Sequence, residues 1–323
     1  MKILFINTRP ANCSIFQGGK MVYEALENND TYNIQYIEIQ NIDVPKLMEG
    51  TVVANGIVLD PYDAYIFNYH DLVMRDYEKV LSENFYKLPG LKYALIFEML
   101  PGNPIIRTLD ISVRNNDFHG YLVMDPTLVC DDPKFHPFLR PIATTHVEPY
   151  VDHGIPIIGS FGFAGSWKGV HDIVIAANKE FDRAILRFNF AHSTYFGGGG
   201  VDIASECRAV SKPGVEIHFT QNFMTDVELI HWLSQNTLNA FFYTRDLPGL
   251  CACTDQAIMS GRPLAISNNK SFRHIHPYQP PYPEMSLKDT IEFGTASIAK
   301  MQDVWSYEQC QKRFIEIIFQ NNE

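Results

Sequence analysis

Short apolar segments alternate with amphipathic stretches along the first half of the chain. The apolar segments have the length and composition of buried strands, and they read "KILFINT", "YNIQYIEI", "YDAYIFNY", "KYALIFEM" and "GYLVMD". The stretches between them, such as "GKMVYEALEN" and "RDYEKVLSENFYKL", have a helical period. Because strands that alternate with helices form parallel sheets covered on both faces, residues 1–150 are predicted to form a doubly wound α/β domain.

A second series of the same kind follows the segment "FLRPIATTHVEPYVDHGIP", whose prolines and polar residues are typical of an interdomain connection. Its predicted strands are "IPIIGSF", "AILRFNFA", "VEIHFTQ", "LNAFFYT" and "RPLAIS". Helices are predicted in "GVHDIVIAANKEF", in "TDVELIHWLSQ" behind a capping box of Thr225 and Glu228, and in "TDQAIMSGRP" before a stop at Gly261 and Pro263. Residues 151–303 are therefore predicted as a second domain, and 304–323 as a final helix.

The charge of the chain excludes some partners. The 323 residues carry a formal net charge of -11, and the lysines and arginines are scattered, which argues against a nucleic acid partner. No apolar run approaches the roughly 20 residues that span a bilayer. The start "MKILFINTRP" turns polar too early for a signal peptide. We therefore expect a cytoplasmic protein without a transmembrane segment.

The cysteines do not show the spacing of a zinc site or the density of a secreted disulfide scaffold. They are Cys13, Cys130, Cys207, Cys251, Cys253 and Cys310. Cys251 and Cys253 form a C-x-C without a second cluster, so free thiols are expected and no bound metal is predicted.

Ligands of doubly wound sheets lie beyond the carboxyl ends of the strands, so the loops after the strands are the candidate sites. In "RPANCSIFQGGKM", Gly18 and Gly19 could let backbone amides approach a ligand at a helix start, although an ordinary turn would contain the same glycines. In "GSFGFAGSWKG", Lys168 stands just before a helix. Its charge and the helix dipole would together attract a diphosphate, unless the lysine is only a solvated surface residue.

Two further loops carry candidate chemistry. The loop "YTRDLPGLCACTDQA" contains Asp246 and then small residues that would leave amides open to a ligand or, alternatively, allow a helix to pack tightly on the sheet. In "FTQNFMTDVE", Asn222 and Phe223 lie between a strand and a capped helix. They could flank a nucleotide base, while a hydrophobic staple is the alternative role for the phenylalanine.

These segments, taken in order, resemble the donor domain of GT-B glycosyltransferases, in the large retaining group that uses nucleotide sugars (glycosyl transferases group 1). The resemblance rests on "GSFGFAGSWKGVHDIVIAA", "VEIHFTQNFMTDVELIHWLSQNTLNAFFY" and "LPGLCACTDQAIMSGRPLAIS", and it covers roughly residues 155–268. The first half matches only in its Gly-Gly loop and its α/β plan. The resemblance implies two doubly wound Rossmann-like domains that face each other across a cleft.

The resemblance also implies roles for individual residues. Lys168 would bind the donor diphosphate, the amides from Gly249 to Cys251 would surround its phosphates, and the glycine pair of the first domain would close over the donor. The positions that match the family's donor site are Gly18, Gly19, Lys168, Asn222, Phe223, Gly249, Leu250, Cys251 and Gln256.

The chain departs from the family where that pattern has two glutamates separated by seven residues. The corresponding positions are Pro248 and Gln256, and neither is acidic. Asp246 and Asp255 stand close enough to substitute, and Gln256 could hydrogen-bond a ribose hydroxyl. In "YALIFEMLPG", Glu98 could hold or deprotonate an acceptor hydroxyl, or it could form a structural ion pair. Glu98, Asp246 and Asp255 are thus the candidate catalytic residues.

The function that this resemblance implies is transfer of a hexose-type sugar from a nucleoside diphosphate sugar to an acceptor hydroxyl, with retention of configuration. The acceptor would be a glycan, a lipid-linked molecule or a small molecule. No cofactor or divalent metal is expected, because the lysine and helix dipole would stabilise the leaving diphosphate. The missing glutamates favour a first alternative, a weak or inactive nucleotide-sugar-binding protein. A second is a GT-B nucleotide-sugar epimerase.

Overall fold

The computed structural model describes residues 1–8, 14–43, 46, 49–59, 61–69, 88–97, 118–191, 203–246 and 249–320. The chain divides into two compact units. The first comprises Met1–Pro141, Pro248–Leu250 and Tyr307–Glu323, and the second comprises Ile142–Leu247 and Cys251–Ser306. The predicted domain boundaries at 150 and 303 lie nine and three residues from the divisions after Pro141 and after Ser306.

The first unit is built on a six-stranded sheet in the order β2-β1-β5-β6-β7-β8, in which every neighbouring pair is parallel. A short antiparallel hairpin, β3-β4, stands apart from it. The strands are β1 Lys2–Asn7, β2 Asn33–Glu38, β3 Val53–Ala54, β4 Ile57–Val58, β5 Ala64–Asn68, β6 Leu91–Ile96, β7 Gly120–Val123 and β8 Phe135–Pro137. Since β5, β6 and β7 are buried nearly throughout, their sequences are apolar except for the buried Asn68 and Lys92.

Two helices of the first unit pack against each other, although they lie at opposite ends of the sequence. They are α1, Ser14–Leu26, and α7, Tyr307–Gln320. The amide nitrogen of Gln311 in α7 donates to the carbonyl of Ala25 in α1 at 2.9 Å. The closing helix thereby belongs to the first unit.

The second unit contains a five-stranded parallel sheet in the order β11-β10-β9-β12-β13. Its strands are β9 Ile157–Phe163, β10 Ala184–Ala191, β11 Val215–Thr220, β12 Leu238–Phe241 and β13 Leu264–Ile266. Its helices are α2 Val170–Glu180, α3 Ile203–Val210, α4 Asp226–Ser234, α5 Cys253–Met259 and α6 Leu287–Val304. Short 3-10 turns cover Ser166–Lys168 and Lys270–Phe272.

Local sequence signals explain where these helices begin. The Glu228 amide donates to the Thr225 hydroxyl at 3.4 Å, and the Thr225 amide donates to the Glu228 carboxylate at 2.8 Å, so the predicted capping box of α4 is confirmed. Ser286 and Asp289 form a second capping box at the start of α6. Gly261 follows α5 with a φ of +69°, which agrees with the predicted stop.

All ten predicted strands are present, and the doubly wound α/β class is confirmed. The sequence interpretation missed β8, the β3-β4 hairpin, α3 and α6. These elements are short or, in α6, carry few apolar positions. The helix predicted in "RDYEKVLSENFYKL" falls almost wholly outside the described residues. Among the described helices, none combines the length and the apolar character needed to cross a membrane.

Candidate functional site

Strands β9 and β12 are neighbours at the centre of the second sheet, and chain order reverses between them. In open α/β sheets, ligands bind at this reversal, beyond the carboxyl ends of the strands. The loop after β9 carries Lys168, and the loop after β12 carries Tyr243 and the residues that lead into α5. The candidate site of the second unit is therefore formed by these two loops.

The backbone around Lys168 is held by a close approach to β12. Gly169 joins the Ser166–Lys168 turn to α2 with a φ of +63°. A Cβ atom at this position would lie 1.6 Å from the carbonyl oxygen of Phe242. In addition, the amide of Thr244 donates to the carbonyl of Trp167 at 2.9 Å. The turn is thus fixed against the residues that follow β12, and only glycine fits at its end.

The Lys168 side chain is buried, with 8% of its surface exposed. Its ammonium donates to the Tyr243 hydroxyl and lies 4.3 Å from the centre of the Tyr243 ring. Within the described part of the chain, no carboxylate pairs with this ammonium. The alternative of a solvated surface lysine is therefore wrong, and the charge is available to an anion at the carboxyl edge of the sheet.

Two cysteines complete a network around the Tyr243 hydroxyl. The Cys251 thiol donates to the hydroxyl oxygen at 3.1 Å, and the hydroxyl lies 3.7 Å from the Cys253 sulfur, to which it donates. A tyrosine hydroxyl can accept two hydrogen bonds and donate one. Lys168 and Cys251 are the two donors, and Cys253 is the acceptor. We call Lys168, Tyr243, Cys251 and Cys253 the thiol cluster.

The environment separates the two thiols chemically. The neighbouring Cys251 thiol, the charge of Lys168 and the hydrogen bond from the Tyr243 hydroxyl together lower the pKa of Cys253 to about 6, against the opposing effects of burial and Asp255. Burial raises the pKa of Cys251 well above its ordinary range. Burial also raises the pKa of Tyr243. Cys253 is therefore the thiolate of the cluster, and the other two groups keep their protons.

The predicted base-binding loop is held from the neighbouring strand. Asn189 of β10 is buried, and its amide group donates to the Asn222 carbonyl at 2.9 Å and accepts from the Asn222 backbone amide at 3.0 Å. Phe223 is 50% exposed. It is therefore not buried under α4, as the hydrophobic-staple alternative requires. Sequence interpretation missed Asn189, which stands inside an apolar strand.

Gln256 lies in α5 and approaches the first turn of α4. Its amide nitrogen donates to the Asp226 carboxylate at 3.4 Å. Its side-chain oxygen is buried and has no hydrogen-bond partner among the described residues. An unsatisfied buried acceptor costs free energy, and a ligand hydroxyl would satisfy it. This geometry agrees with the prediction that Gln256 binds a ribose hydroxyl, which stays a prediction.

Two of the three candidate catalytic carboxylates lie in the described part of the chain, in different surroundings. Asp246 is 52% exposed and lies 3.9 Å from the Lys270 ammonium. Asp255 is 1% exposed, within α5, and near enough to Cys253 for its charge to oppose the thiolate. Glu98 and Pro248 lie outside the described residues. Asp246 and Asp255 therefore differ in exposure and in neighbours, and the catalytic roles of all three carboxylates stay predictions.

The amides from Gly249 to Cys251 were predicted to surround phosphates. The Cys251 amide already donates to the carbonyl of Ser271 at 2.9 Å. The Thr254 hydroxyl donates to the Cys251 carbonyl at 2.6 Å. Cys251 is therefore held by both its backbone groups, because the start of α5 packs against the Lys270–Phe272 turn. The phosphate contacts of Gly249 and Leu250 stay predictions.

Gly18 and Gly19 lie inside α1 and are buried, not at its start as expected. A Cβ on Gly18 would lie 2.5 Å from the Phe97 ring, and one on Gly19 would lie 2.1 Å from the Asn68 side chain and 2.4 Å from that of Asn7. Both glycines thus allow α1 to pack on the ends of its sheet. Their predicted contact with the donor stays a prediction.

No group of three or more histidine, cysteine or acidic side chains suited to a metal ion occurs among the described residues. The cysteines Cys130, Cys207, Cys251, Cys253 and Cys310 are free thiols.

No family model and no curated protein matches this chain. Solved structures do match. The chain is similar to HepE of Anabaena in complex with UDP-glucose, at a TM-score of 0.61 and 12% identity over 98% of both chains. It is also similar to the lipopolysaccharide outer core galactosyltransferase WaaB, at a TM-score of 0.57 and 13% identity over 99% of this chain and 100% of that chain. A third match is S. aureus TarM in complex with fondaparinux, α-GlcNAc-glycerol and UDP, at a TM-score of 0.58 and 12% identity over 79% of this chain and 55% of that chain.

These similarities define the fold, because they extend over nearly the whole chain in two of the three comparisons. The fold is that of GT-B glycosyltransferases, and the predicted GT-B class is confirmed. The cleft expected between the two domains stays a prediction.

Proposed function

We propose that this protein is a glycosyltransferase that binds a nucleoside diphosphate sugar at the carboxyl edge of the second sheet and transfers a hexose-type sugar to an acceptor hydroxyl with retention. The observation that carries the proposal is the buried ammonium of Lys168, placed where chain order reverses and without a carboxylate partner in the described part of the chain. The neighbours' bound UDP and UDP-glucose support the donor class.

The chemistry of the transfer agrees with this placement. When the bond between sugar and phosphate breaks, negative charge develops on the departing diphosphate. A cation that is already fixed in position stabilises that charge without reorganisation during the reaction. Gly169 and the Phe242 backbone fix the turn that carries Lys168. We propose that Lys168 performs this role and that no divalent metal is needed, so EDTA should leave sugar transfer unchanged.

Asn222, Phe223 and Gln256 would hold the nucleoside. The exposed ring of Phe223 would stack on the base, and the unsatisfied oxygen of Gln256 would accept from a ribose hydroxyl. Gln256 reaches Asp226 at the start of α4, immediately after the loop that carries Phe223. The two predicted nucleoside contacts thus belong to adjoining elements.

A thermal-shift panel tests donor binding. The wild type is screened against UDP, GDP, ADP, CMP and their sugars, and a nucleotide at 100 times its Kd should stabilise the fold by roughly 2.7 kcal/mol. Lys168→Met removes the charge and keeps the apolar length of the side chain. Lys179→Met removes an exposed charge from the end of α2 and is the matched control. Equal responses from both variants would refute the proposed role of Lys168.

The missing glutamates favour one alternative, a protein of this fold that binds nucleotide sugars without turnover. Sugar release from the donor, with a panel of acceptors, separates the two functions. Binding without release would identify the alternative. A nucleotide-sugar epimerase is distinguished by two phosphorylated products that form without an acceptor. Glu98→Gln, Asp246→Asn and Asp255→Asn then test which carboxylate the transfer needs.

A further inference from the structure

The thiol cluster contains a chemical site that diphosphate binding does not use. Two sulfurs lie 3.1 Å and 3.7 Å from one tyrosine oxygen, and Lys168 donates to the same oxygen. The sulfur of Cys253 accepts the hydroxyl proton, and the sulfur of Cys251 donates its own. A thiolate and a thiol are therefore both held within hydrogen-bonding reach of a single hydroxyl group.

Cys253 differs from the two buried cysteines that lie outside the thiol cluster. Cys207 and Cys310 are buried, and burial raises the pKa of both thiols, that of Cys207 to about 11. Cys253 is less buried than these two residues. Thiolate character and access together determine which cysteine reacts first.

We propose that Cys251 and Cys253 form an oxidation site, in which hydrogen peroxide converts the Cys253 thiolate into a sulfenic acid and Cys251 closes a disulfide that weakens nucleotide binding. In the first step, the Cys253 sulfur forms a bond to one peroxide oxygen, the O–O bond breaks, and the departing hydroxide takes a proton and leaves as water. In the second, the Cys251 sulfur bonds to the sulfenyl sulfur, the S–O bond breaks, and the second water leaves with the Cys251 proton. The two thiols lose two electrons, and the peroxide gains them.

The disulfide changes the surroundings of Lys168. The Tyr243 hydroxyl loses the thiol that donates to it and the thiolate that accepts from it, so the position of the Lys168 ammonium is no longer set by the same hydrogen bonds. Closing the bond also moves the segment between β12 and α5. This half of the inference rests on the proposed function, because it requires that nucleotide binds beside Lys168.

The chemistry is measured without reference to nucleotide. The full chain is treated with peroxide, and trypsin releases residues 246–270, whose only cysteines are Cys251 and Cys253. The expected peptide has lost two hydrogens, resists iodoacetamide, and recovers both thiols in dithiothreitol. In Cys251→Ser, the reaction should stop at a sulfenic acid that dimedone traps. In Cys253→Ser, the peptide should stay reduced. A reduced wild-type peptide under conditions that oxidise Cys130 would overturn the proposal.

The consequence is measured by UDP titration, with each protein compared with itself before and after peroxide. Wild type and the control Cys130→Ser should lose about tenfold in affinity and recover it in dithiothreitol, whereas Cys253→Ser should not change. A fully formed disulfide with unchanged UDP affinity would overturn the regulatory half. If the reduced wild type does not bind UDP, then UDP is not the donor nucleotide and the proposed effect of the disulfide on UDP binding is refuted as well. The peptide mass decides the oxidation chemistry independently of this result.

Discussion

Gly169→Ala is the substitution for which the structure makes its sharpest energetic prediction. The residue has a φ of +63°, and the added Cβ would lie 1.6 Å from the carbonyl oxygen of Phe242. Gly261→Ala is a matched control, because Gly261 has a φ of +69° and a Cβ there would have no atom within 4 Å. The two substitutions share the unfavourable backbone conformation and differ in the contact.

The magnitudes follow from these two features. A left-handed conformation costs a non-glycine residue about 1 kcal/mol, which applies to both variants. Both also lose the same backbone freedom in the unfolded chain, so that effect cancels in the comparison. The forced displacement of a packed backbone adds about 1–3 kcal/mol for Gly169→Ala alone. We expect losses of about 1 kcal/mol for Gly261→Ala and about 2–4 kcal/mol for Gly169→Ala.

Urea unfolding followed by tryptophan fluorescence measures the difference. All three tryptophans, Trp167, Trp232 and Trp305, belong to the second unit, so the signal reports on the unit that carries both glycines. With an m-value of about 2 kcal/mol/M, the midpoints should fall by about 0.5 M for the control and about 1–2 M for Gly169→Ala. If the two midpoints agree within error, the close approach of the Lys168 turn to β12 is refuted.

Three further predictions concern the loops of the site. Asn189→Ala should lower the free energy of unfolding of the second unit by about 1–3 kcal/mol in the same urea assay, because the turn that Asn189 holds loses two hydrogen bonds; an unchanged midpoint would contradict this. Phe223→Ala should weaken binding of the donor nucleotide by about 1–3 kcal/mol if the ring stacks on the base, whereas the equally exposed Phe293→Ala should bind as wild type in titration calorimetry. The rate at which iodoacetamide alkylates Cys253, read by peptide mass, should rise with pH through a midpoint near 6, because the thiolate is the reactive form. Lys168→Met should move this midpoint upward, because the substitution removes a charge that stabilises the thiolate. A midpoint above 8 in wild type would contradict the assignment of Cys253 as the thiolate.

Much of the fold could be predicted from the sequence because its signals are local. Most of the apolar segments are buried in their sheets, β2 and β11 being partly exposed. The residues that begin α4 and end α5 carry their own capping chemistry. Lys168 could be singled out for the same reason, since it stands between a strand and a helix. Helix α6 escaped prediction because Thr290 and Gly294 occupy two of its five buried positions, so its buried face is not a continuous apolar stripe.

The contacts around Lys168 could not be predicted, because they depend on how separate elements pack. Tyr243 and Cys253 lie near Lys168 only because β12 is beside β9 and α5 begins at the same edge of the sheet. The C-x-C spacing drew attention to the cysteines, but spacing alone does not reveal a shared hydroxyl partner. Likewise, Gly18 and Gly19 indicated a ligand loop, whereas the structure places them against Phe97 and the asparagines of the sheet.

The central claim is that a nucleoside diphosphate binds at the buried ammonium of Lys168. Calorimetric titration with the nucleotide that gives the largest thermal shift tests it directly, on wild type, Lys168→Met and Lys179→Met. Lys168→Met should bind the nucleotide at least about tenfold more weakly, which corresponds to the loss of one charged contact of about 1.4 kcal/mol, and Lys179→Met should bind as wild type. Equal affinity of wild type and Lys168→Met would show that the Lys168 ammonium does not hold the nucleotide.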